Sequence, residues 1–304
     1  MTDQTRALIA PRTMVSILSA GVFLVLGVAV AESASTAGSS VGESRSRPKT
    51  TGLDLRTRRR EQIKLKPRGS KIKVIREDVV WDPAKTAIIV IDVWAEHPCK
   101  KAMARAGELA RYIDIVLAAA RARGVTVVHA PSGGTQFYED PKYRARIKAA
   151  PPVPEPFKIE AWRHLDPNRE PALPIDDRDG GCDDPAPPDR NRSFDRHIHP
   201  AVDLVAGDVV SASGSEIYRL FKHEGIENVV VMGVHTNMCV LGRPFGIRNL
   251  VDLGFNVVLA RDLTDALYDP RDAPYVSHAQ GVQLVIEHIE AYWCPTILGY
   301  DLVR

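Results

Sequence analysis

The chain has 304 residues, 44% of them apolar and 26% charged, with a net charge of +2. That balance excludes a disordered chain and, outside the N-terminal region, leaves no basic face suited to nucleic acid, so no nucleic-acid partner is expected. Four cysteines are too few for a disulfide scaffold in a chain of this length.

Arg6 and Arg12 precede an apolar run from Met14 to Ala31 that closes on Ala29-Val30-Ala31. This is the layout of a secretory signal peptide cleaved after Ala31, and it predicts an exported protein, periplasmic or extracellular. The run is also about long enough for an uncleaved anchor, the only way a membrane would become a partner. Residues 32–80 are Ser-rich and then basic ("RTRRREQIKLKPRGSKIK"), and read as a linker or arm with solvated charges.

From Trp81 to the end, strand and helix signals alternate. "TAIIVID" (Thr86–Asp92) is a continuous apolar run of strand length, as in a strand buried on both faces. A helix follows over Lys101 to Arg123, with Leu109, Ile113, Val116, Leu117 and Ala120 on one stripe and Gly124 closing it. "VTVVHA" (Val125–Ala130), "DVVSA" (Asp208–Ala212), "NVVVMGV" (Asn228–Val234) and "FNVVLA" (Phe255–Ala260) continue the series. Helices are expected over Ser215 to His223, up to about Leu253, and from about Pro274 to Tyr292, with a short strand near Thr296 to Leu298. The fold class is α/β: one doubly wound, mostly parallel sheet with helices on both faces, a Rossmann-like α/β/α layering over 81–304. The Pro-rich, charged stretch at about 131–207 breaks this rhythm. It reads as a lid, an oligomer contact or a surface elaboration.

Open α/β sheets bind ligands beyond the carboxyl ends of their strands, where strand order reverses. With the common order 3-2-1-4-5, Asp92 and Cys239 face one crevice. Thr236 is a candidate N-cap, which places Cys239 in a first helical turn, where free N–H groups favour an anion and lower a thiol's pKa. The thiolate would be a nucleophile, Asp92 a proton carrier, and the free N–H groups an oxyanion hole. The plain alternative is a buried apolar cysteine beside a capping carboxylate. Pro244 would kink a helix running through it unless the helix starts at Arg243.

"TAIIVID" and "VVVMGVHTNMCV" resemble the two signature segments of the isochorismatase-like cysteine hydrolases, the superfamily that includes nicotinamidases. The resemblance covers roughly Trp81 to Leu298. It implies a Cys-Asp-Lys triad that hydrolyses small amides through a thioester, with Cys239 as nucleophile and Asp92 as general base. It further implies a cis peptide between Val234 and His235, and an oxyanion hole from the backbone of His235 and Cys239. The family's lysine follows the third strand, where this chain has Ser211 and Ser213. Lys100, Lys101 and Arg243 are the nearest cations in sequence, with solvated surface charge as the plain reading, and Arg243 would favour an acidic substrate group. His97 and His129 are candidates to touch substrate.

No cofactor is required on this reading. The alternative is zinc held by Asp92, His97 and His129, as nicotinamidases hold one, although the Asp92–His97 spacing departs from their short Asp-x-His pattern. The partners expected are a small-molecule substrate and a second copy of the chain in a homo-oligomer. A catalytically inactive binding module is the other functional reading, and the missing lysine is its support. A nucleotide-binding protein is disfavoured because "DVWAEHPCKK" has no glycine to admit a pyrophosphate. Cys239 is expected as a free thiol, with Cys99, Cys182 and Cys294 as candidates for any bridge, Cys99–Cys294 being the first guess.

Overall fold

The computed structural model describes residues 52–64, 70–186, 188–189 and 193–304. The signal-peptide reading of 1–31 lies outside them. Two strands, β1 (Leu53–Lys64) and β2 (Ser70–Trp81), form an antiparallel hairpin inside the stretch expected as a linker or arm. Alternation explains it. Leu53 and Leu55 point into the core, while Arg58 and Arg60 point the other way and pair with buried Glu290. Those two arginines are therefore structural cations and not solvated ones.

Strand β3 (Thr86–Ile91) is buried along its whole length. Ala87, Ile89 and Ile91 pack on one face and Ile88 and Val90 on the other, so the apolar run serves two cores, one under each helix layer. Helix α1 (Lys100–Ala122) buries Ala106, Ala110, Ile113, Val116, Leu117 and Ala120, a stripe of helical period. Then come β4 (Thr126–Ala130), α2 (Pro141–Ala149), β5 (Val209–Val210) and α3 (Gly214–Glu224), the last capped by Ser213, whose hydroxyl accepts the Glu216 N–H. Beyond them lie β6 (Asn228–Val234), α4 (Cys239–Gly242), α5 (Ile247–Asp252), β7 (Asn256–Asp265), α6 (His278–Tyr292), β8 (Thr296–Ile297) and α7 (Tyr300–Val303).

The eight strands lie in the order β2-β1-β8-β7-β6-β3-β4-β5. Strands β3 to β8 are parallel, and β1 joins β8 antiparallel. The expected reversal point is present, because β3 has β6 on one side and β4 on the other. Asp208 to Ala212 forms only a two-residue strand, and α6 starts four residues later than expected, at a Ser277–Gln280 capping box. The helix expected to end near Leu253 is two helices. Arg243 has left the α region at the end of α4, as a residue before proline tends to do.

The 131–207 segment contributes α2 and is otherwise irregular, yet it is pinned at several points. Glu170 is buried and accepts from Arg248, His288 and Trp293, each at 2.7 Å. Cys182 is bonded to Cys99, with Cα atoms 5.7 Å apart. Asp184 accepts the Lys100 and Lys101 N–H groups at the start of α1. Cys99 pairs with Cys182 and not with Cys294, which is buried and free, because the segment brings Cys182 to the mouth of α1. Among the described residues no helix is long and apolar enough to cross a membrane.

Candidate active site

The crevice opens where β3 and β6 end side by side, with Ile91 opposite Gly233. Gly233 has φ +106, and a Cβ there would lie 2.1 Å from the Ile91 carbonyl oxygen, so only glycine lets the two strand ends close up. Asp92 comes next. It is buried and takes φ 50, a left-handed conformation that aspartate tolerates better than most side chains. Its Oδ1 accepts the Ser132 N–H at 2.6 Å and its Oδ2 accepts the Ser132 hydroxyl at 3.0 Å. Ser132 sits just past β4, so the carboxylate is held from a neighbouring strand end.

The Val234–His235 peptide is cis, as the resemblance implied. Thr236 is not the N-cap of the next helix. Its hydroxyl bonds the Thr264 hydroxyl at 2.7 Å, Met238 holds the cap position, and Cys239 is the first residue of α4. The Cys239 thiol lies beside Asp92 and within the influence of the Arg243 guanidinium, whose Nε is 3.7 Å from Asp92 Oδ2. The guanidinium also lies over the Trp162 ring, 5.4 Å from its centroid. Trp162 belongs to the 131–207 segment, and Gly242 gives it room, since a Cβ would come within 2.9 Å of the indole. An Arg163 backbone N–H bond to the Gly242 carbonyl, at 2.7 Å, fixes this contact.

Burial, and then the adjacent Asp92 charge, push the Cys239 thiol up. Burial likewise raises Asp92, opposed by hydrogen bonds from Cys239 and Ser132 and by the charge of Arg243. The expectation of a thiol acidified by a helix N-terminus is therefore corrected. α4 has only four residues, and desolvation beside a carboxylate outweighs what so short a dipole can give. Burial thus favours the protonated form of both members of the pair, and the one cation beside them opposes it.

Among the described residues, the N–H groups of His235 and Cys239 have no acceptor. The His235 ring is buried, and its Nε2 is without a partner. Burial, followed by His97, pushes its pKa down to about 3, so the ring is neutral at physiological pH. His97 packs against it edge-on at 5.0 Å, and accepts the Cys99 N–H at Nδ1 over 3.1 Å. Asp92, Trp94, His97, Met103, Val234 and His235 line a narrow cavity of about 10 Å³.

Not every residue singled out in the sequence arrives here. His129 is buried elsewhere, with Nε2 3.0 Å from Asp208 Oδ2, because its side chain leaves β4 toward Arg121 and Asp208. Lys100 is exposed in the first turn of α1, and Lys101 reaches toward Asp183 at 3.9 Å, so neither joins the contacts around the thiol. Ser211 and Ser213, at the place of the missing lysine, serve α3, with Ser211 donating to Glu216 at 2.6 Å. The zinc donors Asp92, His97 and His129 are thus not assembled into one set. Among the described residues the one grouping of three metal-capable side chains is Cys99, Cys182 and Asp184. Its two sulfurs are bonded to each other, which removes them as thiolate ligands. Two residues escaped sequence reasoning. Ser132 could have been found from its place just after a strand end; Trp162 carries no such signal.

Residues 86–288 match the family described as Isochorismatase domain. No curated protein matches the sequence. Among solved structures, the chain is similar to a cysteine hydrolase from Pseudomonas syringae pv. phaseolicola, with 18% identity over 74% of this chain and 94% of the other, and a TM-score of 0.45. An isochorismatase family protein from Desulfovibrio vulgaris shares 17% identity over 72% of this chain and 96% of its own, with a TM-score of 0.40. N-carbamoylsarcosine amidase from Thermoplasma acidophilum shares 17% identity over 62% and 87%, with a TM-score of 0.33.

Proposed function

The chain belongs to the isochorismatase family, and we propose that within it this protein is an exported cysteine hydrolase that cleaves the C–N bond of a small amide, or a related acyl bond, through a thioester on Cys239. One observation carries the reading: a thiol, a carboxylate and a guanidinium converge beside two N–H groups that have no acceptor. In the first step the Cys239 proton passes to Asp92 as the sulfur attacks the substrate carbonyl carbon. The His235 and Cys239 N–H groups hold the oxygen that becomes negative. Asp92 then gives its proton to the departing nitrogen, the C–N bond breaks, and a thioester is left. A water molecule, deprotonated by Asp92, attacks the thioester carbon; the C–S bond breaks, the carboxylic acid leaves, and Asp92 returns the proton to sulfur.

Arg243 takes the electrostatic place of the family's lysine. It arrives from four residues beyond the nucleophile and not from the third strand. Burial raises the Asp92 pKa and the Arg243 charge opposes it, favouring the ionised carboxylate that the proton relay requires. An inactive binding module has less support on this geometry, since the missing lysine was its main argument and a cation stands in its place. Export is supported by the Arg6–Arg12, apolar, Ala29-Val30-Ala31 layout and by the Cys99–Cys182 bridge, a bond that persists in oxidising compartments. No step passes through a metal.

The test is hydrolysis of a panel of small amides by the wild type, by Cys239→Ala and by Asp92→Asn. Both variants should lose turnover, and rapid acid quench followed by intact mass should trap the acyl adduct on wild-type protein. A panel left uncleaved by wild type, while the same compounds bind, would return the binding-module reading.

A further inference from the structure

Strand β2 ends the sheet, and among the described residues nothing pairs with its outer edge. Such an edge offers a row of free backbone donors and acceptors to any chain able to lie along it. Natural edges are usually blunted by shortness, charged side chains, a proline or a bulge. β2 carries charge but no proline or register break: it runs twelve residues, Ser70–Trp81, in unbroken register with β1. Between the charges it exposes apolar side chains, with Ile72 at 51%, Val74 at 37% and Val80 at 62% exposure.

We propose that β2 pairs antiparallel with β2 of a second copy of this chain, about a two-fold axis through Ile75, joining two sheets into one. Charge selects the partner. The first half of the strand carries Lys71 and Lys73, while in the second half Glu77 and Asp78 outweigh Arg76, so an antiparallel copy sets positive against net negative. A two-fold pairing must set residues of the same face opposite each other, which limits the registers. Axes through Lys73, Arg76 or Glu77 put a charge opposite itself, which is destabilising. The axis through Ile75 sets Lys73 opposite the partner's Glu77 and Glu77 opposite the partner's Lys73. It also lays Val74 against the aliphatic stem of the partner's Arg76, and keeps nearly the whole strand in pairing. Arg58 and Arg60 brace the hairpin against α6 through Glu287 and Glu290, so the edge is presented on a rigid base. This surface is remote in sequence from the thiol and independent of the hydrolase reading.

Sedimentation velocity on the full chain tests it. The wild type is expected to be a concentration-dependent dimer. Lys73→Glu alone, and Glu77→Lys alone, each set like charges across the junction twice, and each should raise the dimer Kd roughly tenfold or more. Mixing the two variants should restore association as a heterodimer, because each then offers the other the missing sign. That arm separates dimer contacts from damage inside the hairpin, which mixing cannot repair. A wild type monomeric up to about 100 µM, or a mixture no tighter than its components, overturns the proposal.

Discussion

Replacing Arg243 by Met removes the charge beside Asp92 while keeping an unbranched chain over Trp162. The guanidinium Nε stands 3.7 Å from Asp92 Oδ2, and at an effective dielectric of ~20 such a pair interacts by about 4 kcal/mol. The carboxylate is buried and the arginine partly so, hence solvent takes only a share of this. Loss of one electrostatic contributor in an acyl-transfer site typically costs ~10²–10³ in rate, or about 3–4 kcal/mol, the same scale. The direction on pH follows as well. Asp92 must be ionised to accept the thiol proton, and Arg243 lowers its pKa against the effect of burial. Without that charge Asp92 protonates at higher pH, so the acid limb of the kcat/KM profile should move upward in Arg243→Met. Arg243→Lys should restore part of the rate and most of the limb. The assay is a pH–rate profile with any amide found to turn over. An Arg243→Met enzyme with unchanged kcat/KM and an unmoved acid limb refutes the assignment of Arg243 as the triad's cation.

Glu170→Ala should destabilise the fold by ~3–5 kcal/mol, because it leaves Arg248 buried without its counter-charge and His288 without its hydrogen-bond partner, and thermal melts will read it. The same carboxylate is held down to about 2, led against its burial by bonds from His288 and Arg248. Its depressed pKa contributes stability above the ordinary glutamate range, and that contribution drains as pH falls toward 2; Glu170→Gln should flatten this acid slope in a melt series. Cys182→Ser opens a bridge between residues 83 apart in sequence, and should lower stability by ~4 kcal/mol on a loop-entropy argument, while peptide mapping of wild type finds Cys239 unbridged. Iodoacetamide at pH 7 should label Cys239 more slowly than a free cysteine peptide, since burial and Asp92 hold the proton on sulfur; fast labelling at neutral pH would contradict the resting protonation state described above.

Much of this arrangement was legible in the chain. The unbroken apolar run Thr86–Ile91 could belong only to an element covered on both faces, and the alternation after it fixed a parallel sheet. From there the reversal rule put Asp92 and Cys239 at one crevice without any knowledge of distances. The hairpin was hidden by its own charge. Arg58 and Arg60 look solvated until Glu290 and Glu287, more than 220 residues away, come to meet them. Arg243 lay in view but undecided, because the decisive fact is conformational: Pro244 denies it a helical ψ and turns it out of α4 toward the carboxylate. The pKa of Cys239 was misjudged for a similar reason, since the length of α4 and the depth of burial are tertiary facts. His129 shows the converse error, in which a residue at a strand end was assumed to face the crevice although alternate residues point to opposite faces.

On the proposed reading, nucleophile and counter-charge lie within the five residues from Cys239 to Arg243, and this has a consequence for inheritance. Where a cation is supplied by a distant strand, a change in either element can separate the two and silence the site. Here a single short cassette carries both, and the third strand is released from electrostatic duty. Ser211 and Ser213 answer only to the helix they introduce. Positions 211–213 can therefore change within what capping α3 allows, while the proposed reactive pair travels intact with its own loop.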